Sequence, residues 1–247
     1  MAALQFQFRK QCYALKFKRG FILFCAALIV LCGFLGKWQL YRYHYKQALL
    51  QAYASNQHAT PVPATGINQL TPALQFQQVA ADGTYENADT VLLTNRPYHE
   101  QMGFEVLTPL RIAGEKKMLW IDRGWVAARD EQSPPVILPV TTSQQIKGAV
   151  KFLDEYQFIL GNNLLANGPP RQLQKMDIPA LAKLTGQTYY PFIVRLDAKA
   201  ENGFGRDWVI SSVQPERHLG YAVQWFAMAI ALLIATFCFC CEALPEK

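Results

Sequence analysis

Two uncharged apolar stretches, residues 20–36 and 219–241, stand near the two ends of this 247-residue chain and constrain everything between them. At about 1.5 Å of rise per residue, a helix over either stretch is long enough to cross a hydrocarbon core roughly 30 Å thick. The chain then divides into a basic tail (1–19), a first span (20–36), a helical stalk (37–55), a β-rich domain (56–218), a second span (219–241) and a short tail (242–247). A domain tethered at both ends works at a membrane surface, with lipid as its neighbour.

The amino-terminal tail carries Arg9, Lys10, Lys16, Lys18 and Arg19 and no acidic residue. The positive-inside rule keeps such a tail in the cytoplasm, and two crossings return the carboxyl terminus to the same side. Lys37, Arg42 and Lys46 on the far side of the first span oppose this bias but do not reverse it. The domain is therefore expected outside the cytoplasm. The first span is not followed by an Ala-x-Ala-like cleavage site, and Trp38, Tyr41 and Tyr43 supply the aromatics expected where a retained anchor leaves the bilayer.

All six cysteines (12, 25, 32, 238, 240 and 241) lie in the tail or the spans, so the domain is no disulfide scaffold and must build its own core. The formal charge of +6 comes mostly from the amino-terminal tail and does not indicate nucleic-acid binding. The Cys238-x-Cys240-Cys241 cluster suits Cu(I) by ligand softness. Cysteine is equally an ordinary small residue of an apolar helix, and that reading is preferred.

Trp38, Tyr41, Tyr45, Ala48 and Ala52 recur at helical spacing beyond the first span, which predicts a stalk ending near Ser55. Pro61, Pro63, Gly66 and Pro72 then suggest an extended connector over 56–75. Short strands are predicted at 77–81, 90–94, 104–110, 118–126, 145–153, 192–196 and 208–211. Ile146, Val150 and Phe152 alternate with Lys147, Ala149 and Lys151, as in a strand wet on one face. Met118-Leu119-Trp120-Ile121 is apolar throughout and suits a strand covered on both sides. Residues 113–116 supply a hairpin loop. Asp177, Pro179 and Gly186 mark the cap, first turn and left-handed stop of one helix. The expected architecture is a membrane protein with two transmembrane α-helices flanking a β-dominated α+β extracytoplasmic domain, its sheet antiparallel.

No CxxC, CxxCH, HExxH, GxSxG or P-loop motif is present, and the domain holds few serines and no thiol, so the chain is not expected to be an enzyme. The glycine-rich run Asn202-Gly203-Phe204-Gly205-Arg206-Asp207 opens no helix and is a poor phosphate site. His218 is different. It lies at the outer lip of the second span, with Tyr221 at i+3 and Trp225 at i+7 on its helical face and Arg217 beside it. An imidazole over two aromatic rings can ligate the iron of a flat apolar macrocycle whose propionates reach Arg217. The same residues also compose an ordinary interfacial aromatic belt, and the residues alone leave both readings open.

Gly36-Lys37-Trp38-Gln39-Leu40 with Arg42 resembles the Gly-x-Trp-Gln-Leu-x-Arg motif of the surfeit locus protein 1 family. Gly83-Thr84-Tyr85, Asn95-Arg96-Pro97, the run from Gly103 to Pro109, and Arg123-Gly124-Trp125-Val126 are similar to its domain segments. His218-Leu219-Gly220-Tyr221-Ala222-Val223-Gln224-Trp225-Phe226 is similar to its His-Leu-x-Tyr-Ala-x-x-Trp-Phe. Glu216-Arg217 departs from the paired asparagines of many relatives and puts the helix cap in doubt.

The resemblance implies an assembly factor for haem-copper cytochrome c oxidase that promotes haem a insertion into the catalytic subunit. His218 is then the axial ligand of the haem iron, and the haem a synthesis machinery is a further partner. A non-haem-binding scaffold for the oxidase subunit is the alternative. Without a transit-like amino terminus, the expected location is the inner membrane of a bacterium with the domain periplasmic, or the mitochondrial inner membrane if the chain is eukaryotic. Arg123-Gly124-Trp125-Val126 is expected to serve the fold, Gly124 permitting a bulge and Trp125 filling the core.

Overall fold

The computed structural model describes residues 5–8, 11–15, 19–67, 69–128, 134–153, 159–166, 168–208 and 214–243. From the amino terminus come β1 (Gln5–Phe8), β2 (Gln11–Leu15), the long helix α1 (Arg19–Asn56), and the two-residue β3 (Val62–Pro63). Then follow β4 (Gln78–Tyr85), β5 (Val91–Tyr98), β6 (Gln101–Ile112), β7 (Lys117–Ala127), β8 (Gln144–Lys151), β9 (Leu164–Ala166) and β10 (Arg171–Leu173). Helix α2 (Ile178–Thr185), β11 (Thr188–Leu196), helix α3 (Pro215–Cys240) and β12 (Cys241–Ala243) complete the chain. Two compact units result, one of residues 1–50 with 211–247 and one of residues 51–210.

The first unit is built on α1 and α3, both long and apolar enough to cross a membrane. Leu23, Phe24, Val30 and Phe34 on α1 and Val223, Ile230 and Leu233 on α3 are more than half exposed. Water does not tolerate such a surface and lipid does, so the two helices are membrane anchors. At the ends of these helices β12 pairs antiparallel with β2, which pairs with β1. This small sheet was not anticipated from the sequence, and it ends α3 at Cys240. Of the basic amino-terminal cluster, Arg19 alone lies within the described residues.

In the second unit β4 pairs with β8 through Gln78–Gly83 and with β6 through Gly83–Tyr85. The pairings β4–β8–β11–β7–β6–β4 therefore close on themselves, a ring from which β5, β10 and β9 extend beyond β6. Leu119 and Ile121 of β7 point into the ring with Phe192, Val194 and Leu196 of β11. Met118 and Trp120 point to the other face, where Ile178 and Leu181 of α2 cover them. Burial on both faces explains the unbroken apolar run at 118–121. Helix α2 is bounded as expected: Asp177 accepts from Ala180 N at 2.9 Å, and Gly186 stops the helix with φ 68°.

Two expectations are corrected, and a third falls mostly outside the described residues. The sheet is mixed, because β8 and α2 intervene between β7 and β11 and this long crossover lays β11 parallel to β7. The connector does not merely extend: it forms β3 and two short 3₁₀ turns, Ala64–Gly66 and Pro72–Leu74, and buries Ala64 and Ile67 in the ring. The strand expected at 208–211 lies, apart from Trp208, outside the described residues, and Trp208 itself is not in a strand.

Two bulges shape one end of the ring. In β7 the register with β6 slips so that Val106 faces Gly124 and Leu107 faces Asp122, which leaves Arg123 as the extra residue. Gly124 has φ 110°, and a Cβ there would lie 2.5 Å from Gly205 O, so both conformation and space require glycine. In β5 the slip falls between Leu93 and Arg96, with Asn95 at φ 57°. The bulge expected at Gly124 is present, but Trp125 is only partly buried, and the tryptophan of the core is Trp120.

Candidate functional site

Within the first unit α1 and α3 lie side by side and antiparallel. The Phe21 ring meets Phe239 at 4.5 Å, Gly36 faces the Phe226 ring, and Gln39 meets His218. Cys25, Cys32 and Gly36 are the buried positions of α1, and Ala222 and Cys240 are buried on α3. Small residues along a seam let two backbones approach closely, the usual way for helices to associate where burial from water drives nothing.

At the amino-terminal end of α3, Pro215 occupies the first turn, Glu216 follows it, and the cap residue Gln214 makes no side-chain capping bond. The acidic side chain suits the positive end of the helix dipole. His218 is partly buried, and its Nδ1 lies 2.8 Å from Oε1 of Gln39. A carboxamide oxygen only accepts, so Nδ1 carries the proton in this arrangement. The other ring nitrogen, Nε2, makes no hydrogen bond among the described residues, and in the neutral tautomer that fits this bond it is the one with the lone pair. An acceptor holding the far nitrogen of a metal-ligating histidine fixes both its tautomer and its orientation.

Arg217 is exposed, Tyr221 is 50% exposed, and Trp225 is partly buried. Among the described residues no ring contact joins Tyr221 or Trp225 to His218. The partner that sequence reasoning missed is Gln39. It stands inside the Gly-Lys-Trp-Gln-Leu motif, but only the antiparallel register of the two helices reveals what it touches. Of the cysteine cluster, Cys238 is exposed and Cys240 buried, and among the described residues no set of three His, Cys, Asp or Glu side chains converges as a metal site.

The glycine-rich run at 202–207 belongs to the fold. Phe204 N donates to Arg123 O at 2.7 Å and Gly205 N to Trp125 O at 3.0 Å, so these amides are already engaged by β7. Arg123 is buried between the Tyr85 and Phe204 rings, 4.9 and 5.0 Å from their centres, and its Nε donates to Asn202 O at 2.9 Å. Burial lowers the Arg123 guanidinium and pushes the Tyr85 hydroxyl up to about 12.

A second constellation, not expected from the sequence, lies wholly in the β domain. Asp122 of β7 is completely buried, with Oδ2 3.8 Å from Arg195 Nε of β11. Glu105 of β6 lies 3.4 Å from Arg96 Nε and 3.9 Å from Lys151 Nζ. Burial, reinforced by the neighbouring Glu105 carboxylate, holds Asp122 well above the usual aspartate range. Burial opposes ionisation of Glu105 as well, but Lys151, a hydrogen bond with Asp122, and the two arginines hold it below the glutamate range. Burial also lowers the Lys151 ammonium, so Glu105 is the carboxylate that faces Arg96, Arg195 and Lys151 while Asp122 is held toward its neutral form.

A family model described as the SURF1 family matches residues 26–230. Among known proteins, a SURF1-like protein of Rickettsia conorii is 25% identical over 226 residues, covering 88% of this chain and 89% of the relative. A SURF1-like protein of Monosiga brevicollis is 23% identical over 242 residues, 90% of this chain and 88% of the relative. Surfeit locus protein 1 of Gallus gallus is 23% identical over 224 residues, 83% of this chain and 70% of the relative. The matched region contains both Gln39 and His218.

Proposed function

This chain belongs to the SURF1 family, and on that premise we propose that it is a membrane-anchored assembly factor that promotes haem a insertion into the catalytic subunit of a haem-copper cytochrome c oxidase. The observation that carries this reading is the Gln39–His218 hydrogen bond. It leaves Nε2 without a protein partner among the described residues at the end of an apolar helix pair, and the neutral tautomer that fits the bond is the form that can ligate iron.

Haem a would be the cargo, and His218 is the residue that would supply a nitrogen donor to its iron. Gln39 holds the imidazole so that it does not turn its protonated nitrogen to the metal. Tyr221, half exposed, and Trp225, partly buried, would provide apolar surface for the macrocycle. Arg217, exposed to water beside the ligand, answers the propionates. Haem would come from the haem a synthesis machinery and leave to the oxidase subunit. Both spans sit in the inner membrane of a bacterium, with both termini cytoplasmic and the β domain in the periplasm.

The test is haem content per protein in matched detergent preparations from cells that make haem a. His218→Ala should remove bound haem while leaving the helices inserted. Gln39→Leu should weaken haem binding about tenfold to a hundredfold, the usual cost of losing the group that orients a ligand. Equal haem in wild type and His218→Ala would put the non-haem-binding scaffold in front.

A further inference from the structure

We propose that the β domain carries a binding site of its own for a carboxylate borne on a small planar apolar group, with Arg195 and Arg96 as its anion anchors. The site is a cavity of about 280 Å³ whose walls include Arg96, Tyr98, Glu105, Trp125, Arg195 and Trp208. This is close to the lower end of the range for small-ligand pockets, about 300 Å³. The proposal goes beyond the assembly-factor reading and does not depend on it.

Unmet hydrogen-bonding capacity identifies the anchor. The Arg195 guanidinium stacks over Trp208, 4.7 Å from the ring centre, and its side chain is only 16% exposed. Its Nε is buried 3.8 Å from Asp122 Oδ2, too far for a hydrogen bond, and neither terminal nitrogen donates a hydrogen bond among the described residues. Arg96 Nε is buried and ion-paired with Glu105 Oε2 at 3.4 Å without hydrogen-bond geometry, and of its terminal nitrogens only Nη2 donates, to Gln174 O at 3.2 Å. Desolvated guanidinium donors left unsatisfied are costly, and a planar guanidinium held flat on an indole is already shaped to meet a carboxylate through two parallel bonds.

Charge and shape select the ligand. Glu105 is engaged by Arg96 and Lys151, and burial holds the neighbouring Asp122 carboxyl toward its neutral form and lowers the Lys151 ammonium, so Glu105 stands against two arginines. Asp207 at the edge of the cavity is engaged as well, by His99 Nε2 at 2.9 Å and Tyr98 OH at 3.1 Å. A cation would meet Arg195 and Arg96, and a neutral acceptor would take their hydrogen bonds without the charge assistance of a carboxylate. The remaining wall is aromatic: Tyr98 and Trp125 stack with centroids 4.9 Å apart, and Trp125 is pinned by Nε1 donating to Arg96 O at 2.7 Å. The bulges at Asn95 and Gly124 turn Arg96 and Trp125 to this end of the ring. A group of about the size of 3-phenylpropionate satisfies both parts. It can come from a small organic acid or from the free carboxyl terminus of a protein chain.

The full-length protein in detergent is titrated with 3-phenylpropionate, with its neutral amide, and with a short peptide ending in phenylalanine as free acid or amide. Binding is followed by the indole N–H resonances of Trp125 and Trp208. Each acid should saturate with a dissociation constant of ~1 mM or tighter, and each amide should bind at least about tenfold more weakly. The acid that binds more tightly identifies the source, the peptide pointing to a protein terminus and phenylpropionate to a small acid. Arg195→Gln should cost the acids about tenfold and leave bound haem unchanged, which separates this site from His218. If that variant does not fold, the acid–amide comparison on the wild type still decides. Acids and amides binding alike, acids failing to saturate, or Arg195→Gln binding them as the wild type does would each overturn the proposal.

Discussion

The two units solve the burial problem in opposite directions. Along α1 and α3 the large apolar side chains face outward and the seam is made of Cys25, Cys32, Gly36 and Ala222. In the β domain Trp120, Phe192 and Leu119 are fully enclosed, while Lys147 and Gln145 of the same sheet meet water. One chain thus uses two solvents. In water, stability comes from hiding large side chains, and in lipid it comes from letting small ones touch. The residues proposed to bind ligands follow the same division. His218 depends on a neighbouring helix for its orientation, whereas Arg195 is aimed by strands and stacked on a ring.

The sharpest way to break this contrast is to remove an aromatic side chain from each unit. Trp120→Ala should destabilise the β domain by about 3–5 kcal/mol, because a fully enclosed indole leaves a cavity that its neighbours fill only in part. Phe34→Ala, at a position 68% exposed, should stay within about 0.5 kcal/mol. Urea unfolding in detergent, followed by near-ultraviolet circular dichroism, compares the two. Similar losses would mean that the outward face of α1 is packed against protein.

The seam offers a smaller and complementary test. A Cβ built on Gly36 lies 2.8 Å from the Phe226 ring, so Gly36→Leu must push the helices apart or displace that ring. The expected cost is about 1–3 kcal/mol, typical of overpacking. It should be accompanied by loss of the Gln39–His218 bond one turn away, read as a change in the His218 Nδ1 resonance. An unchanged resonance would show that the seam yields without moving the site.

These contrasts were partly legible in the sequence. The apolar spans announced α1 and α3, and the cap, proline and glycine at Asp177, Pro179 and Gly186 bounded α2 to the residue. Alternation identified β8, and the unbroken run at 118–121 identified a strand buried on both faces. What periodicity cannot supply is the partner. A pattern says which side of a strand is apolar but not which strand lies beside it, and so the parallel neighbour of β7 went unseen. The charged cluster was hidden for the same reason: Arg195 stands opposite Asp122 only because of that register. Lys151 reads as a wet position of an alternating strand, yet it reaches Glu105 from a side chain 27% exposed. Gln39 and His218 were each visible within a motif, but their hydrogen bond needs the antiparallel register of two helices far apart in sequence.

The smallest expected effect concerns Asp122, and its sign is the test. A folded-state carboxyl held above its unfolded value binds a proton more tightly in the native protein than in the unfolded chain. Its contribution to stability is therefore fully present below the ordinary aspartate range, about pH 4, and is lost as pH rises toward the raised folded value. Asp122→Asn imitates the protonated side chain. Its carboxamide oxygen can still accept from Gly124 N, now 3.3 Å from Oδ1, and its amide can donate toward Glu105 as the protonated acid does. Near pH 4 the variant should match the wild type, and toward pH 8 it should be equally or more stable, with the difference growing as pH rises. Glu105 works in the other direction, because a carboxylate held below its usual range loses its contribution as pH falls. The wild-type curve alone therefore mixes two opposing slopes, and the difference between wild type and Asp122→Asn isolates one of them. Urea midpoints of both proteins at several pH values between 4 and 8 make the measurement. A variant less stable by the same amount at every pH would mean that Asp122 is ionised in the fold and that its pairing with Arg195 outweighs its burial.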